Sequence, residues 1–310
     1  MTATTLADPA RQVAAASQTA LAVPQPELAT LVVTGGDRIT WLNGMLTCDL
    51  LKRAPGAAVY GLAVARNGKV ITDVVVVDDG GERALLMVPS TVVEALRTHL
   101  DHYLVMEDAV MAPATDGYEA WAVHGPKAAE ALEAAKAAGG VGGLLDRTGR
   151  GGAVVLAPRD AASRVRAALA TVATIGDDSG WEALRLERVV PRFGVDFDDK
   201  TYPQEAQLEK QAVSFDKGCY LGQEVVCMLE LRGHVKRMLV PVVLDAGEPP
   251  ARGAEVTDDE GVAIGEVTSA GASPTLGKPV VLAMVKRAFA QAGSHVLVGG
   301  MRGEVVARPA

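Results

Sequence analysis

Apolar and polar positions along this chain switch between a period of two and a period near 3.6, and the switches mark out its elements. Leu31-Val32-Val33 is a short β-branched run that Gly35-Gly36 breaks. Asp37 then stands where a helix cap is wanted, and Ile39, Leu42 and Leu46 follow at helical spacing. Val59 to Val64 predicts a strand. After it, Arg66-Asn67-Gly68-Lys69 holds the Asn-Gly pair that favours a two-residue hairpin turn. Val70 to Val77 continues as a strand, and its Val74-Val75-Val76-Val77 run is apolar on both faces, as in a central buried strand. Ala84 to Val88 predicts another strand. Thr91 and Glu94 have the spacing of a capping box that opens a helix to about His102.

Further along, Trp121-Ala122-Val123 reads as a strand ending at Gly125, with Pro126 as first residue of an Ala-rich helix to about Ala138. The glycine-rich stretch Gly139 to Gly152 reads as a loop or hairpin, Val154 to Leu156 as a strand, and Ala161 to Val172 as a helix. The strand–glycine–helix pattern of 31–46 thus recurs at 121–137, which suggests two related units. Trp181 to Val189 predicts a helix, residues 191–218 are irregular and polar, and a short helix follows Gly222. Irregular segments of that length in compact proteins are mostly functional. From Val235 onward short β runs alternate with Gly, Pro and Asp turns, the pattern of a small barrel or sandwich. The reading is an α+β protein: a flexible N-terminal tail over 1–26, α+β subdomains over 27–110 and 111–234, and a C-terminal β unit over 235–310.

Composition narrows the function classes. Aromatic residues make up only 4% of the 310 residues, so the core falls to Val, Leu and Ala. A net charge of −8 argues against nonspecific binding of nucleic acid, which needs clustered Lys and Arg. The cysteines Cys48, Cys219 and Cys227 form no C-x-x-C pair and no zinc spacing, so reduced thiols in the cytoplasm are expected. Met1 to Pro24 lacks the pattern of a secretory signal, and no apolar run is long enough to span a membrane. His99 and His102 read as a surface pair, and Asp196, Asp198 and Asp199 lack the spacing of a calcium loop, so no metal site is expected.

Chemistry concentrates in Asp216-Lys217-Gly218-Cys219-Tyr220-Leu221-Gly222-Gln223-Glu224. Cys219 lies two residues after a lysine and ahead of a helix N-terminus, and both favour thiolate over thiol. Gln223 and Glu224 stand where they cap that helix or meet a ligand. A buried, inert cysteine in a glycine-rich turn is the competing reading.

The run K-G-C-Y-x-G-Q-E also resembles the signature of the YgfZ family, folate-binding relatives of the glycine-cleavage T-protein. Pro203-Gln204-Glu205-Ala206 resembles the P-x-E-A element of that superfamily, and Gly44-Met45-Leu46-Thr47-Cys48-Asp49 its Q-x-T-x-D stretch. Gly68-Lys69-Val70-Ile71-Thr72-Asp73 resembles the G-G-x-x-D-D turn, with Thr72 in place of the first aspartate. Arg232-Gly233-His234-Val235-Lys236-Arg237 matches the R-G-x-x-x-R entry to a C-terminal barrel. The resemblance implies three subdomains packed as a ring, with tetrahydrofolate or a derivative in a central channel. It implies a cytoplasmic accessory factor for iron–sulfur client enzymes, including tRNA-modifying ones, that makes no direct contact with nucleic acid or membrane. Cys219 would be the essential thiol, Lys217 would tune it, and Asp73 would act on a folate nitrogen. Glu205 would hold the pterin, with Tyr220, Gln223, Glu224, Arg232 and Arg237 beside the ligand. Two other functions stay open: aminomethyl transfer with Asp73 as its one carboxylate, and a folate-binding scaffold whose thiol is only structural.

Overall fold

The computed structural model describes residues 8–54, 56–231 and 233–309. The chain opens with helix α1 (Pro9–Gln18) and strand β1 (Leu21–Pro24). Asp8 caps α1 by accepting from the Ala10 N–H, and Pro9 occupies the first turn, where its missing N–H costs nothing. The expected flexible tail over 1–26 is therefore corrected from Pro9 onward. An Ala-rich segment with few large apolar residues resembled a tail, yet Val13 and Ala16 are buried and all of β1 before Pro24 lies in the core.

There follow β2 (Leu28–Thr34), α2 (Arg38–Met45), β3 (Ala58–Val64), β4 (Val70–Asp78), β5 (Arg83–Pro89), α3 (Val93–Asp101) and β6 (Val110–Pro113). These strands form an antiparallel sheet in the order β3-β4-β5-β2-β6. Next come β7 (Tyr118–His124), α4 (Ala128–Ala137), β8 (Val141–Leu144), β9 (Gly152–Pro158), α5 (Ala162–Val172), β10 (Thr174–Ile175) and α6 (Asp178–Glu187). The second sheet runs β10-β1-β7-β9-β8, so β1 from the chain start sits inside it, parallel to β10 and antiparallel to β7. Two short helices, α7 (Glu209–Ala212) and α8 (Gln223–Leu231), precede the last unit. That unit is a closed barrel of β11 (Arg237–Leu244), β12 (Glu255–Thr257), β13 (Ala263–Ser273), β14 (Lys278–Lys286), β15 (His295–Val298) and β16 (Met301–Val305).

Each sheet buries one face under its own helices and the other against its neighbour. Leu42, Leu46, Leu96 and Leu100 cover the first sheet, and Leu132, Val165 and Leu169 the second. Between the sheets lie Tyr60, Leu62, Val75, Val77, Leu85 and Met87 with Val154 and Leu156. Val74 and Val76 point to the helix side and Val75 and Val77 to the sheet side, so the doubly apolar run does mark a strand buried on both faces. Leu186 joins Leu239 and Leu282 where α6 meets the barrel.

Two local expectations change. The Asn67-Gly68 turn is present, with Gly68 at φ +76, but it closes a longer loop in which the Ala65 N–H donates to the Lys69 carbonyl at 2.9 Å and pairing slips at Ala63/Val64. The Thr91–Glu94 capping box does not form. Ser90–Val92 is a 3-10 turn, α3 starts one residue later without a side-chain cap, and Glu94 pairs with Arg97 at 3.0 Å. Among the described residues no helix is long and apolar enough to cross a membrane.

Candidate functional site

A cavity of about 340 Å³ opens where the two sheets, α6 and the segment after it converge. Asp73 and Val75 of β4, Leu28 of β2, Trp181 of α6, Phe193 and Arg147 are part of its wall. The Tyr60 hydroxyl donates to Asp73 Oδ2 at 3.1 Å. Burial pushes the Asp73 carboxyl above the usual carboxylate range, against the pull of the Arg147 cation and the Tyr60 hydrogen bond. Burial likewise raises the Tyr60 phenol, so it stays a proton donor.

Arg147 comes from the loop between β8 and β9. Asp146 ties that loop into a compact turn by accepting from the N–H groups of Thr148 at 2.9 Å, Gly149 at 2.8 Å and Gly151 at 2.8 Å. The Arg147 guanidinium lies over the Tyr60 ring, 3.9 Å from its centroid. Its terminal nitrogen reaches only the Pro191 carbonyl, at 3.4 Å, and its buried Nε finds no acceptor among the described residues.

The other arginines of the wall are neutralised. Arg185 is bound by Glu182 at 2.7 Å and Asp196 at 2.9 Å, and Arg192 by Glu182 at 2.7 Å and Asp178 at 3.1 Å. Behind Trp181, the His124 ring stacks on the indole at 4.6 Å and 1°. Among the described residues neither ring nitrogen of His124 has a hydrogen-bond partner, and burial, aided by the Arg147 cation, lowers its pKa to about 4. Of the three tryptophans, Trp181 flanks the cavity, whereas Trp41 and Trp121 are core residues.

The signature loop lies elsewhere, docked on the first sheet's subdomain although its sequence position suggested the second. The buried Lys217 ammonium donates to the carbonyls of Leu46 at 2.8 Å, Cys48 at 2.6 Å and Asn43. All three of its donors are thereby spent at the C-terminal end of α2, so the expected tuning of Cys219 by Lys217 is replaced by a backbone clamp. Burial lowers this lysine to about 8, partly offset by the nearby Cys48 and Asp49.

Cys219 is exposed on the surface, apart from the cavity wall. Tyr220 is buried between the sheets with its hydroxyl beside the Cys227 thiol. Gln223 and Glu224 form the first turn of α8, Glu224 exposed. None of these lines the cavity. Gly222 adopts φ +79, and a Cβ there would overlap the Ala65 carbonyl oxygen. Gly222→Ala is expected to cost about 2 kcal/mol or more, read as a lower urea midpoint at unchanged slope.

Glu205, expected to hold the pterin, is also placed otherwise. One carboxylate oxygen accepts from Arg237 Nε at 3.0 Å and the other from the Tyr202 N–H at 2.9 Å. Glu205 and Arg237 thus bind each other across the start of the barrel, away from the cavity wall. Arg232 lies outside the described residues. Of the expected site residues that the structure describes, Asp73 alone lines the cavity.

Residues 7–139 match the GCVT N-terminal domain, and residues 237–310 match the glycine cleavage T-protein C-terminal barrel domain. The chain belongs to the T-protein superfamily. It is 28% identical over 302 residues to the aminomethyltransferase of Thermotoga petrophila, covering 89% of this chain and 80% of that protein. It is 29% identical over 288 residues to that of a Nostoc species, covering 85% of this chain and 76% of that one. The crystal structure of glycine cleavage system aminomethyltransferase T from Bartonella henselae superposes with a TM-score of 0.83 over 97% of this chain and 89% of that one, at 20% identity, a likeness of fold. Within this T-protein fold, sequence reasoning missed Tyr60, Arg147 and His124. Tyr60 sits unmarked in an apolar strand. Arg147 falls in the Gly139 to Gly152 stretch that reads as a loop or hairpin, but nothing along the chain shows that it leans over Tyr60.

Proposed function

We propose that this protein binds a tetrahydrofolate in the cavity beside Asp73 and serves as an accessory factor for iron–sulfur enzymes, which it meets through the exposed Cys219. The observation that supports folate is a carboxyl held by the Tyr60 hydroxyl beside the Arg147 guanidinium, in a cavity with an aromatic wall. That set fits a reduced pterin, whose pyrimidinone ring is flat and which carries N–H donors next to a carbonyl acceptor. When bound, the folate would supply a nitrogen able to carry a one-carbon unit. Asp73 would accept a hydrogen bond from a ring N–H, Tyr60 would hold that carboxyl in place, and Trp181 would keep water from one side of the ring. The thiol acts on a different surface, which suits an encounter with another protein better than chemistry on the folate.

A second reading, transfer of an aminomethyl group, is favoured by the relatives named aminomethyltransferase that align with most of the chain. It requires Asp73 to serve as the sole carboxylate, because Thr72 stands at the neighbouring place.

Anaerobic calorimetric titration with tetrahydrofolate is expected to give saturable binding that Asp73→Asn weakens at least about tenfold, the value of a hydrogen bond to a charged group. Absence of binding by the wild type up to millimolar ligand would remove the folate reading. In a deletion strain, Cys219→Ala is expected to bind folate normally yet fail to restore iron–sulfur enzyme activity. Full restoration would reduce the thiol to a bystander. Normal turnover in a glycine-cleavage mixture lacking any other T-protein would establish the second reading instead.

A further inference from the structure

We propose that the outward face of α8, where Met228 and Leu231 stand beside Glu224 and Glu230, docks a partner protein that presents lysine or arginine side chains around an apolar patch. The proposal rests on the reading of Cys219 as a point of encounter with another protein, and adds the surface that holds that protein.

Its ground is the contrast between the two sides of α8. The inner side is seated. Val226 is buried, its carbonyl accepts from Gln204 Nε2 at 2.9 Å, and a Cβ at Gly68 would come within 2.9 Å of Val225. On the outer side Glu224, Met228 and Leu231 follow at helical spacing and form one stripe. Met228 is 55% exposed and Leu231 79%, where the solvent-facing stripe of a helix is normally polar. Large apolar side chains gathered on an exposed face and rimmed by charge mark surfaces that meet another protein.

The charges on this side point to the partner. The helix carries Glu224 and Glu230 and no lysine or arginine, and neither glutamate forms an ion pair among the described residues. Glu230 lies in the last turn, at the negative end of the helix dipole, where a carboxylate is disfavoured. It is also close enough to Glu209 of α7 for the two charges to repel, and Glu209 Oε2 is buried with no hydrogen-bond partner among the described residues. Burial raises the Glu209 carboxyl and the Glu230 charge adds to it, while Lys210 and Arg308 offset a part. Negative charge thus accumulates beside the apolar stripe, and a cation brought by a partner relieves it. The first residue of α8, Gln223, follows Cys219 by four positions, at most about 14 Å of chain, so a protein that reaches the thiol also reaches this helix.

The test is restoration of iron–sulfur enzyme activity in the deletion strain at matched protein level, beside anaerobic tetrahydrofolate titration and sedimentation of the purified chain. Met228→Ser/Leu231→Ser and Glu230→Lys are each expected to lower restoration at least about tenfold, the effect of losing one well-placed interface anchor. Both are expected to melt cooperatively and to bind tetrahydrofolate as the wild type does, since exposed positions change stability little and α8 lies outside the cavity wall. Glu133→Lys, the same charge change on the exposed side of α4, is expected to restore activity fully. Full restoration by both α8 variants while Cys219→Ala still fails overturns the inference and leaves the reading of the thiol intact. Failure of Glu133→Lys to the same degree overturns the placing of the charge on α8. Full restoration by Cys219→Ala removes both readings. A wild-type dimer that the α8 variants dissociate gives this face to a second copy of the chain and overturns the outside partner.

Discussion

Replacing Lys217 by Met is expected to destabilise the protein by about 2–3 kcal/mol, the scale of leaving buried carbonyls without their charged donor. The side chain is 8% exposed, and its ammonium closes on three carbonyls, those of Asn43, Leu46 and Cys48. Asn43 belongs to the last turn of α2, whose closing carbonyls lack helical partners, and Leu46 and Cys48 follow just beyond it. A cation at that point also offsets the negative end of the helix dipole. Methionine keeps the length of the stem but offers no donor, so the buried carbonyls lose their partners together. Loss of the ammonium should also loosen the loop that carries Cys219, which would then be tied to the first subdomain by the buried Tyr220 and the Leu221 N–H to Gly44 carbonyl bond. Urea unfolding at neutral pH measures the cost, with Cys219→Ala as control. That exposed thiol is expected to change stability by no more than about 0.5 kcal/mol. A Lys217→Met variant within 1 kcal/mol of wild type, judged on the ~1 kcal/mol scale of a single hydrogen bond, would mean that water reaches those carbonyls.

His124→Phe is expected to leave stability near neutral pH almost unchanged and to protect the protein from acid. The imidazole stacks on Trp181, has no hydrogen-bond partner on either nitrogen among the described residues, and has its pKa lowered by burial to about 4 from its ordinary 6.5. Above pH 6.5 it is neutral in both folded and unfolded chains and contributes nothing to the pH dependence. Between 6.5 and about 4 the unfolded chain binds the proton and the folded one does not, so stability falls as pH falls. Below about 4 the full loss is reached, about 3 kcal/mol for a shift of this size. Asp146 and Arg147 face the ring from the adjoining loop and remain in the variant. The carboxyl of Asp73, whose shift runs the other way, is common to both proteins and cancels in their difference. Melting wild type and His124→Phe side by side from neutral pH down to pH 4.5 should show a gap that widens steadily in favour of the variant. Parallel curves would mean that the buried ring takes up its proton without cost, and the lowered pKa would then be wrong.

What the sequence made legible follows the range of the interactions involved. The barrel, the Val74–Val77 strand and most helices were readable because period and turn chemistry act over a few residues. The N-terminal strand was not. Leu21 to Pro24 carries an ordinary apolar pattern, and only its parallel partner at Thr174–Ile175 and its antiparallel partner at Trp121–His124 make it a strand. The same holds for the site. Asp73 was singled out through a local motif, and it lines the cavity. Lys217 was expected to act on Cys219 because it stands two residues before it, and Glu205 on a ligand because of a short motif resemblance, whereas their partners, Asn43, Leu46 and Cys48 in one case and Arg237 in the other, are supplied from far along the chain. Arg147 went unnoticed for the same reason: it lies over the Tyr60 ring, which belongs to a strand far along the chain.

The place of β1 bears on how the chain reaches its native form. β1 is made before any of the first subdomain, yet its neighbours β7 and β10 are made after all of it. During synthesis the first subdomain can close on its own strands while β1 waits outside it, and the second sheet stays split until that early segment returns to fill the gap between β7 and β10. Maturation of the second subdomain is thus tied to a delayed long-range closure, a step of high contact order and hence slow. A bulky fusion placed just ahead of α1 should act on that late step, slowing the recovery of the native state far more than it lowers the stability finally reached.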